Sequence, residues 1–371
     1  MNEHYSYERY QRQIILEGFG EEGQEKLLRA KVLVVGAGGL GCPALQYLVA
    51  AGVGTVGVVD DDVVTLHNLH RQILFTTTDV GLSKAEVAAK RLLEMNPSVQ
   101  INAYTFRLTT RNALELFSNY DIVLDGTDNF ATRYLINDAC VLLGKPLVYG
   151  AIAQFEGQVA IFNAGGNAVN YRDLFPQPPV PGSVLNCAEA GVLGVLPGLV
   201  GTMQATETIK LITGMGKPLI NQFLTYNALT HNSFVFGLNA REETASLLPK
   251  DANDFEQRDY EWLCGTTSDA EEIDSDAFER FLLNEEAMIV DVREENEQPE
   301  VNEFVHTKMP LSLLKKKAFA FRNDILVLFC QSGKRSLEAA KILSATFGLT
   351  KKIYSLKGGI LHWKKEHGTK A

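Results

Sequence analysis

Cysteine is scarce in this sequence, and the few cysteines it has are odd in number. Five occur in 371 residues, far apart along the chain. They are Cys42, Cys140, Cys187, Cys264 and Cys330. An odd, scattered set in a chain with no export signal excludes the disulfide framework of a small secreted protein. Each cysteine is therefore considered separately, as a thiol.

Positive charge and long apolar runs are also lacking. Lys and Arg total 35 against 45 Asp and Glu, for a formal net charge of −10. Because phosphate backbones are bound by clustered cations, this composition argues against a nucleic-acid partner. No stretch reaches the roughly 18 unbroken apolar residues that span a bilayer, and residues 1–12 lack the apolar core of a signal peptide. We expect a cytoplasmic protein that binds no membrane.

What the sequence does contain is two successive α/β patterns, and a length of 371 residues also favours two domains. From Lys31 an apolar strand, a glycine turn, a helix and a second strand follow one another. This order predicts a Rossmann-like, doubly wound parallel sheet. Short strand-like runs after Gly150 predict that antiparallel strands extend one side of that sheet.

The domain division follows from these patterns. Residues 1–240 are predicted to form the nucleotide-binding domain, and the acidic residues 241–273 are interpreted as a linker. Residues 274–371 alternate helix and strand again and predict a small α/β domain of ordinary size.

A glycine-rich loop follows the first strand and opens a helix. Its glycines are Gly36, Gly38, Gly39 and Gly41. Glycines let a backbone approach phosphates closely, and a helix N-terminus offers free N–H groups to an anion. Asp60, at the end of the next strand, is placed to bind ribose hydroxyls. These features suit NAD as well as ATP, so both cofactors stay open at this point.

Charged residues further along favour ATP. Attack at the α-phosphorus of ATP develops charge that cations and Mg²⁺ neutralise, and Arg71, Lys84 and Asp128 could meet that need. Ser83-x-x-Glu86 predicts a capping box, which places Lys84 in a first helical turn where the helix dipole disfavours a cation. A bound polyphosphate would explain that lysine. The alternatives are a solvated surface lysine and, for Asp128, a helix N-cap.

Several motifs in the same order resemble one family. They are RYQRQ at 9–13, the glycine loop, Asp60 with NLHRQ at 68–72, Lys84, and TDN at 127–129. Over residues 5–240 the chain resembles the MoeB/ThiF/HesA branch of the ubiquitin-activating (E1-like) superfamily. The resemblance implies ATP-dependent adenylation, with Mg²⁺, of the C-terminal glycine of a ubiquitin-fold sulfur carrier such as MoaD or ThiS. Pyrophosphate is the product released.

The resemblance also implies residue roles. Those carried over for ATP are Gly36, Gly38, Gly39, Gly41, Asp60, Asn68, Arg71, Gln72, Lys84, Asp128 and Asn129, with Asp128 holding Mg²⁺. Arg12 matches an arginine that the family supplies to the neighbouring subunit's ATP, which implies a homodimer. Cys187 resembles a cysteine proposed to bind the activated carrier covalently, and a helix N-terminus after it would favour its thiolate. The alternative is a buried structural thiol.

The chain departs from the family at a metal site. Many members hold structural zinc with two CxxC pairs, whose positions here are Asn170, Asp173, Glu261 and Cys264. One cysteine cannot build a tetrahedral thiolate site. The sequence therefore predicts no zinc.

A second resemblance covers the C-terminal region. Cys330 follows an apolar strand and begins CQSGKRS, where Lys334, Arg335 and a helix N-terminus would favour an anionic persulfide. This loop, DVRE at 291–294 and GGILHW at 358–363 resemble the rhodanese-type sulfurtransferases. The resemblance implies that Cys330 accepts sulfur from a persulfide donor such as a cysteine desulfurase and passes it to the adenylated carrier. A structural cysteine is the alternative.

Rival functions stay open at this stage. A NAD-dependent dehydrogenase would leave Arg71, Lys84 and Asp128 unexplained. A non-catalytic carrier-binding scaffold that senses sulfur would suit the altered segment between Arg293 and Leu311. The carrier itself is open among the molybdopterin, thiamine, tRNA-thiolation and cysteine pathways, with CAEAGV at 187–192 favouring the molybdopterin type.

Overall fold

The computed structural model describes residues 3–179, 191–260, 271–284, 286–295, 297–317, 321, 323–347 and 351–367. The chain divides into two compact units, with the main boundary after Tyr260. Among the described helices, none combines the length and apolarity needed to cross a bilayer.

The described part of the first unit contains an eight-stranded sheet with strand order β3-β2-β1-β4-β5-β6-β7-β8. The strands are β1 Lys31–Val35, β2 Thr55–Val59, β3 Gln100–Tyr104, β4 Ile122–Asp125, β5 Leu147–Ala153, β6 Glu156–Phe162, β7 Gln222–Asn227 and β8 Ser233–Gly237. The pairs among β1 to β5 are parallel, and those from β5 to β8 are antiparallel. This confirms the predicted doubly wound sheet with its antiparallel extension.

Helices cover the sheet. They are Glu3–Ile14, Gly20–Arg29, Gly41–Ala51, Lys84–Met95, Ala113–Ser118, Phe130–Leu143, Tyr171–Leu174 and Leu196–Thr213, with 3-10 turns at Leu66–Asn68 and Thr77–Asp79. The helix Gly41–Ala51, which follows β1, is terminated by Gly52, whose φ of 88° is the left-handed conformation common at helix C-termini. It packs its buried leucines on the apolar face of β1, a strand whose last four residues are all buried.

Residues 241–260 belong to the first unit, which corrects the predicted linker over 241–273. They form a 3-10 helix at Glu242–Leu247 and a helix at Ala252–Gln257, with Phe255 fully buried. At the other end, Glu271–Ile273 forms a strand of the second sheet. The acidic composition suggested a solvated chain, but short helices and a buried aromatic side chain fasten its first half.

The second unit is a small α/β domain, as predicted. Its described residues form a five-stranded parallel sheet with order β11-β10-β12-β13-β9. The strands are β9 Glu271–Ile273, β10 Ala287–Asp291, β11 Thr307–Lys308, β12 Ile325–Phe329 and β13 Lys352–Leu356. The helices are Ser275–Leu282, Leu311–Lys317, Lys334–Phe347 and Gly359–His367. Buried aromatic rings such as Phe278, Phe329 and Trp363 fill one side of this sheet.

Candidate functional site

A crevice for a ligand is expected where β1 and β4 lie side by side. The chain leaves β1 for β2 on one side and β4 for β5 on the other, which makes this pair the topological switch point of the sheet. Ligands of doubly wound folds bind outside the carboxyl ends of the strands at that point. Here those ends lead into the loops that begin at Gly36 and Gly126.

The two loops approach each other so closely that glycine is required. Gly36 has a φ of +93°, and a Cβ there would lie 2.9 Å from the carbonyl oxygen of Gly126. A Cβ at Gly41 would lie 1.9 Å from the carbonyl oxygen of Gly36. The helix Gly41–Ala51 starts directly from this loop and directs its N-terminus towards the crevice.

Asp60 fixes the glycine loop to the end of β2. Its Oδ2 accepts a hydrogen bond from the backbone N–H of Ala37 at 2.7 Å, and its Oδ1 accepts one from Asp62 at 2.9 Å. Burial raises the pKa of Asp60, against the lowering effect of Lys84 and these N–H groups. Each carboxylate oxygen keeps a further lone pair that can accept a ribose hydroxyl.

Lys84 is a buried cation at the same edge. Its side chain is 6% exposed and its Nζ lies 2.8 Å from Oδ2 of Asp62, whose own side chain is 71% exposed. The prediction that Lys84 opens a helix capped by Ser83 is confirmed, because the Ser83 hydroxyl accepts from the N–H of Glu86. The alternative of a solvated surface lysine is wrong.

Asp62 was not among the predicted site residues. It is the last of three consecutive aspartates after β2, and it is joined to Lys84 twice, by the ion pair and by the Lys84 N–H that donates to its carbonyl oxygen. The acidic run was visible in the sequence, but the pairing across 22 residues was not.

The NLHRQ segment lies against the glycine loop. Asn68 and Gln72 are buried, and Oε1 of Gln72 has no hydrogen-bond partner within the described part of the chain. A Cβ at Gly38 would lie 3.8 Å from Nε2 of Gln72, and a Cβ at Gly39 would lie 3.6 Å from Cγ of Arg71. One Arg71 nitrogen donates to the carbonyl of His67, so other guanidinium donors stay available to a ligand.

The TDN segment forms the opposite wall. Oδ1 of Asn129 accepts a hydrogen bond from the N–H of Thr132 and caps the helix Phe130–Leu143. The alternative that Asp128 is this N-cap is therefore wrong. Asp128 is exposed, and no described residue is recorded as a partner of its carboxylate.

Asp125 and Arg133 lie buried beneath this segment, and neither was predicted. The N–H and hydroxyl of Thr127 both donate to Oδ1 of Asp125, at 2.9 and 2.6 Å. Arg133 donates to the carbonyl oxygen of Thr127, and its Nε lies 3.4 Å from Oδ2 of Asp125. The one sequence signal was a carboxylate at the end of an otherwise apolar, fully buried strand. Together these contacts fix the position of Asp128.

These residues fit a nucleoside triphosphate. They provide acceptors and donors for ribose and phosphate. These are a buried amide oxygen that no described residue partners, a buried lysine whose counterion is exposed, and a glycine loop at a helix N-terminus. The exposed carboxylate of Asp128 suits Mg²⁺, which binds through few carboxylates and through substrate phosphates.

Arg12 is a predicted site residue that the structure does not join to this cluster. Arg12 is exposed on the helix Glu3–Ile14, and no hydrogen bond or ion pair joins it to the rest of the described chain. Cys187 falls outside the described residues. Burial raises the pKa of Cys42 to about 12 and that of Cys140 well above its usual value, which leaves both thiols inert.

The first CxxC position pair does not fit zinc. Asn170 and Asp173 cap the short helix Tyr171–Leu174, and Oδ2 of Asp173 accepts from both the N–H and the side-chain amide of Asn170. Oδ1 of Asp173 accepts from the N–H of Arg241 and the hydroxyl of Thr244. Its oxygens are thus occupied by hydrogen bonds. Glu261 and Cys264 fall outside the described residues. Among the residues that the structure describes, no three or more His, Cys, Asp or Glu side chains cluster so that they could hold a metal ion.

In the second unit, Cys330 directly follows β12, and residues 331–333 separate it from the helix Lys334–Phe347. It is fully buried, and its carbonyl oxygen accepts from the N–H of Ile360 at 2.8 Å. Gly333, with a φ of +89°, turns the chain into the helix. Arg335 follows in the first turn and forms a two-point ion pair with Glu297.

Family models match both units. The ThiF family matches residues 10–247, and the rhodanese-like domain matches residues 275–366.

Individual proteins resemble the chain closely. It is 56% identical to "Sulfur carrier protein adenylyltransferase" of Thermus thermophilus over 262 residues, which cover 70% of this chain and 96% of that protein. It is 41% identical to "Probable adenylyltransferase/sulfurtransferase MoeZ" of Mycobacterium tuberculosis over 372 residues, covering 96% of this chain and 93% of that protein.

Among solved structures, the crystal structure of Escherichia coli MccB with ATP matches with a TM-score of 0.52 at 21% identity. The match covers 60% of this chain and 67% of that one, and it bears on the fold alone. With the sequence motifs, the fold and the family models in agreement, this chain belongs to the ThiF family and carries a rhodanese-like domain behind its ThiF region.

Proposed function

We propose that this chain uses ATP to adenylate the C-terminal glycine carboxylate of a ubiquitin-fold sulfur carrier, and that its rhodanese-like domain then delivers sulfur to that carbon. The observation that carries the first half is the buried Lys84, held beside the glycine loop by a solvent-exposed partner. Names of close relatives, which include a sulfur carrier protein adenylyltransferase, support the same activity.

Adenylation requires positioning and charge stabilisation more than a general base. A carboxylate is a poor electrophile, and the acyl-adenylate formed when its oxygen attacks the α-phosphorus is a good one. In the proposed step Asp60 accepts the ribose hydroxyls, and Arg71 and Lys84 stabilise the charge of the departing pyrophosphate. Mg²⁺, held by Asp128, would add the same kind of stabilisation.

Sulfur delivery is proposed to start from Cys330. A persulfide on its sulfur attacks the acyl carbon, AMP leaves, and the carrier becomes linked to Cys330 through an acyl disulfide. A second thiol, for which Cys187 is the candidate, attacks the Cys330 sulfur and releases the carrier as a thiocarboxylate. The resulting disulfide returns to two thiols by exchange with a thiol reductant.

The chain is also proposed to act with a sulfur donor and with a second copy of itself. A cysteine desulfurase or similar persulfide donor would load Cys330, and Arg12 would serve the ATP site of the second subunit in a homodimer. We further propose a cytoplasmic location. We also propose that the protein holds no structural zinc, because a hydrogen-bonded helix cap occupies the position of the family's first ligand pair.

A carrier-dependent ATP–pyrophosphate exchange assay tests the first half. The wild-type chain is expected to exchange label only with carriers ending in Gly-Gly, and running each such carrier of the cell identifies the pathway. Lys84→Gln should lower exchange by at least about a hundredfold, since one charged contact to a transition state contributes roughly 3 kcal/mol. Lys90→Gln, on the exposed face of the same helix, is the matched control.

Each result is decisive. No exchange with any carrier would leave a binding scaffold as the function, and a nicotinamide-dependent absorbance change would indicate a dehydrogenase instead. Equal activity of Lys84→Gln and Lys90→Gln would contradict the assigned role of the buried lysine.

A further inference from the structure

The loop that carries Cys330 contains a cation whose charge is already compensated. Two guanidinium nitrogens of Arg335 donate to the two carboxylate oxygens of Glu297, one of them at 2.6 Å. The side chains are 34% and 26% exposed, so the pair reaches solvent while Cys330 does not. Bidentate pairs of this kind are the strongest and most directional ion pairs in proteins.

Further hydrogen bonds hold Glu297 and the residues that follow it in place. Its Oε1 also accepts the backbone N–H of Glu294 at 2.9 Å, which fixes the carboxylate at the end of a turn. Arg293 donates to the carbonyl oxygen of Pro299 at 2.7 Å and ties down the residues that follow. The side chain of Gln331 donates to the carbonyl oxygen of Gln298 at 3.1 Å, so this segment is attached to the Cys330 loop itself.

The pair sets the charge that a sulfur donor meets. Hydrogen bonds from Arg335 lower the pKa of Glu297 to about 2, so Glu297 is ionised throughout the working pH range. The pKa of Arg335 is raised, chiefly by Glu297 and in smaller part by the nearby Cys330. An anion that approaches the Cys330 loop therefore encounters a fixed carboxylate and an arginine that is already neutralised. Lys334, the other cation of the loop, is exposed.

We propose that Glu297 selects the sulfur donor: by occupying the guanidinium of Arg335, it disfavours loading of Cys330 by small anionic sulfane donors such as thiosulfate and favours persulfides of low charge. This inference rests on the proposed sulfur transfer at Cys330. In the disfavoured reaction, the Cys330 thiolate attacks the outer sulfur of thiosulfate, the S–S bond breaks, and sulfite leaves with the bonding electron pair. Persulfide forms on Cys330 without any other reactant.

The experiment compares donors of different charge on the full-length chain. We expect Glu297→Gln to raise kcat/KM for thiosulfate by about tenfold or more, since one repulsive charge is removed and Arg335 is freed. The rate with the persulfide of 2-mercaptoethanol, which carries a single charge, should change less than about threefold. The donor ratio is the kcat/KM for thiosulfate divided by the kcat/KM for this persulfide. Glu297→Asp keeps the charge, so its donor ratio should equal that of wild type.

A matched control is available in the same domain. Glu303 forms an ion pair with Lys364 at 2.7 Å, and the pKa of Glu303 is likewise lowered by that lysine. Glu303→Gln changes the net charge by the same amount and removes a pair of the same type. A donor ratio that rises equally in Glu303→Gln would overturn the inference, because it would show an effect of overall charge.

A second measurement does not depend on turnover. Alkylation of Cys330 by iodoacetate, an anion, and by neutral iodoacetamide is followed by mass spectrometry of the Cys330 peptide. The iodoacetate-to-iodoacetamide rate ratio should rise in Glu297→Gln and stay unchanged in Glu303→Gln. If Glu297→Gln does not fold, the same ratio in wild type should rise with ionic strength as the carboxylate is screened. A ratio indifferent to salt and to the substitution contradicts the inference.

The two proposals can fail separately. Wild-type protein that takes no labelled sulfur from any donor, with an alkylation ratio that rises in Glu297→Gln, refutes sulfur transfer and supports charge selection at Cys330. Normal loading from persulfide, with an unchanged donor ratio and an unchanged alkylation ratio in Glu297→Gln, leaves sulfur transfer intact and overturns the role of Glu297.

Discussion

At the scale of single residues, Lys84 and Asp62 form an unequal pair. The lysine is buried and the aspartate is mostly exposed, so within the described part of the chain the ion pair of Lys84 is made with a carboxylate that water can solvate without it. In the proposed ATP complex the triphosphate takes the place of Asp62 as the partner of Lys84. When both are absent, Asp60 is the carboxylate left near the lysine. Removing one member of a buried pair leaves an uncompensated charge, which commonly costs about 3–5 kcal/mol and less when the partner is exposed.

Asp62→Asn should therefore destabilise the ATP-free protein by about 1–3 kcal/mol and increase the stabilisation gained from ATP. Thermal unfolding with and without ATP measures both effects. Asp61→Asn, the exposed neighbour, is the control and should show the wild-type difference. If ATP stabilises Asp62→Asn no more than wild type, Asp62 is not the counterion that ATP replaces.

Residues positioned by local structure could be predicted from the sequence, and residues positioned by distant partners could not. Asp60, Arg71 and Lys84 belong to short motifs with a local context of strand, turn or capped helix, so their place at the sheet edge was foreseeable. Asp62 and Glu297 act through partners 22 and 38 residues away, and no local pattern reports such a pairing. Long-range ion pairs become visible only once the topology is known.

At the scale of elements, residues 241–260 illustrate the same limit. Their charges suggested a linker, yet polar groups of this segment donate hydrogen bonds to two buried carboxylates outside it. Asp138 accepts two hydrogen bonds from Arg172, at 2.8 and 2.7 Å, and one from the hydroxyl of Tyr260 at 2.7 Å. Asp173 holds Arg241 and Thr244 in the same way. A polar network thus fastens this segment next to the positions that would carry the first zinc ligands.

Breaking that network should release the segment. Asp173→Ala removes the acceptor of Asn170, Arg241 and Thr244 and is expected to cost about 2–4 kcal/mol, since it leaves buried donors unpaired. Amide hydrogen exchange should rise across residues 241–257. Glu243→Ala, an exposed acid in the same segment, is the control. Unchanged exchange in Asp173→Ala would mean that other contacts hold the segment.

At the scale of the whole molecule, the exposed Arg12 raises the question of which ATP site it serves. The proposed homodimer places it at the partner's site, and this can be separated from action within one chain. Arg12→Ala and Lys84→Gln should each abolish most exchange activity as homodimers. In a mixed dimer, one site combines an intact Lys84 with the Arg12 of the other chain, while the second site lacks both.

Co-expression of Arg12→Ala and Lys84→Gln in equal amounts should therefore restore about a quarter of wild-type activity per site, because half of the dimers are mixed and half of their sites are complete. If Arg12 acted within its own chain, both sites of a mixed dimer would lack one residue and no activity would return. Co-expression of Lys84→Gln with Arg71→Ala is the control, because two residues of the same site cannot complement each other across subunits. Recovery in that control would show that the rescue does not report a shared site.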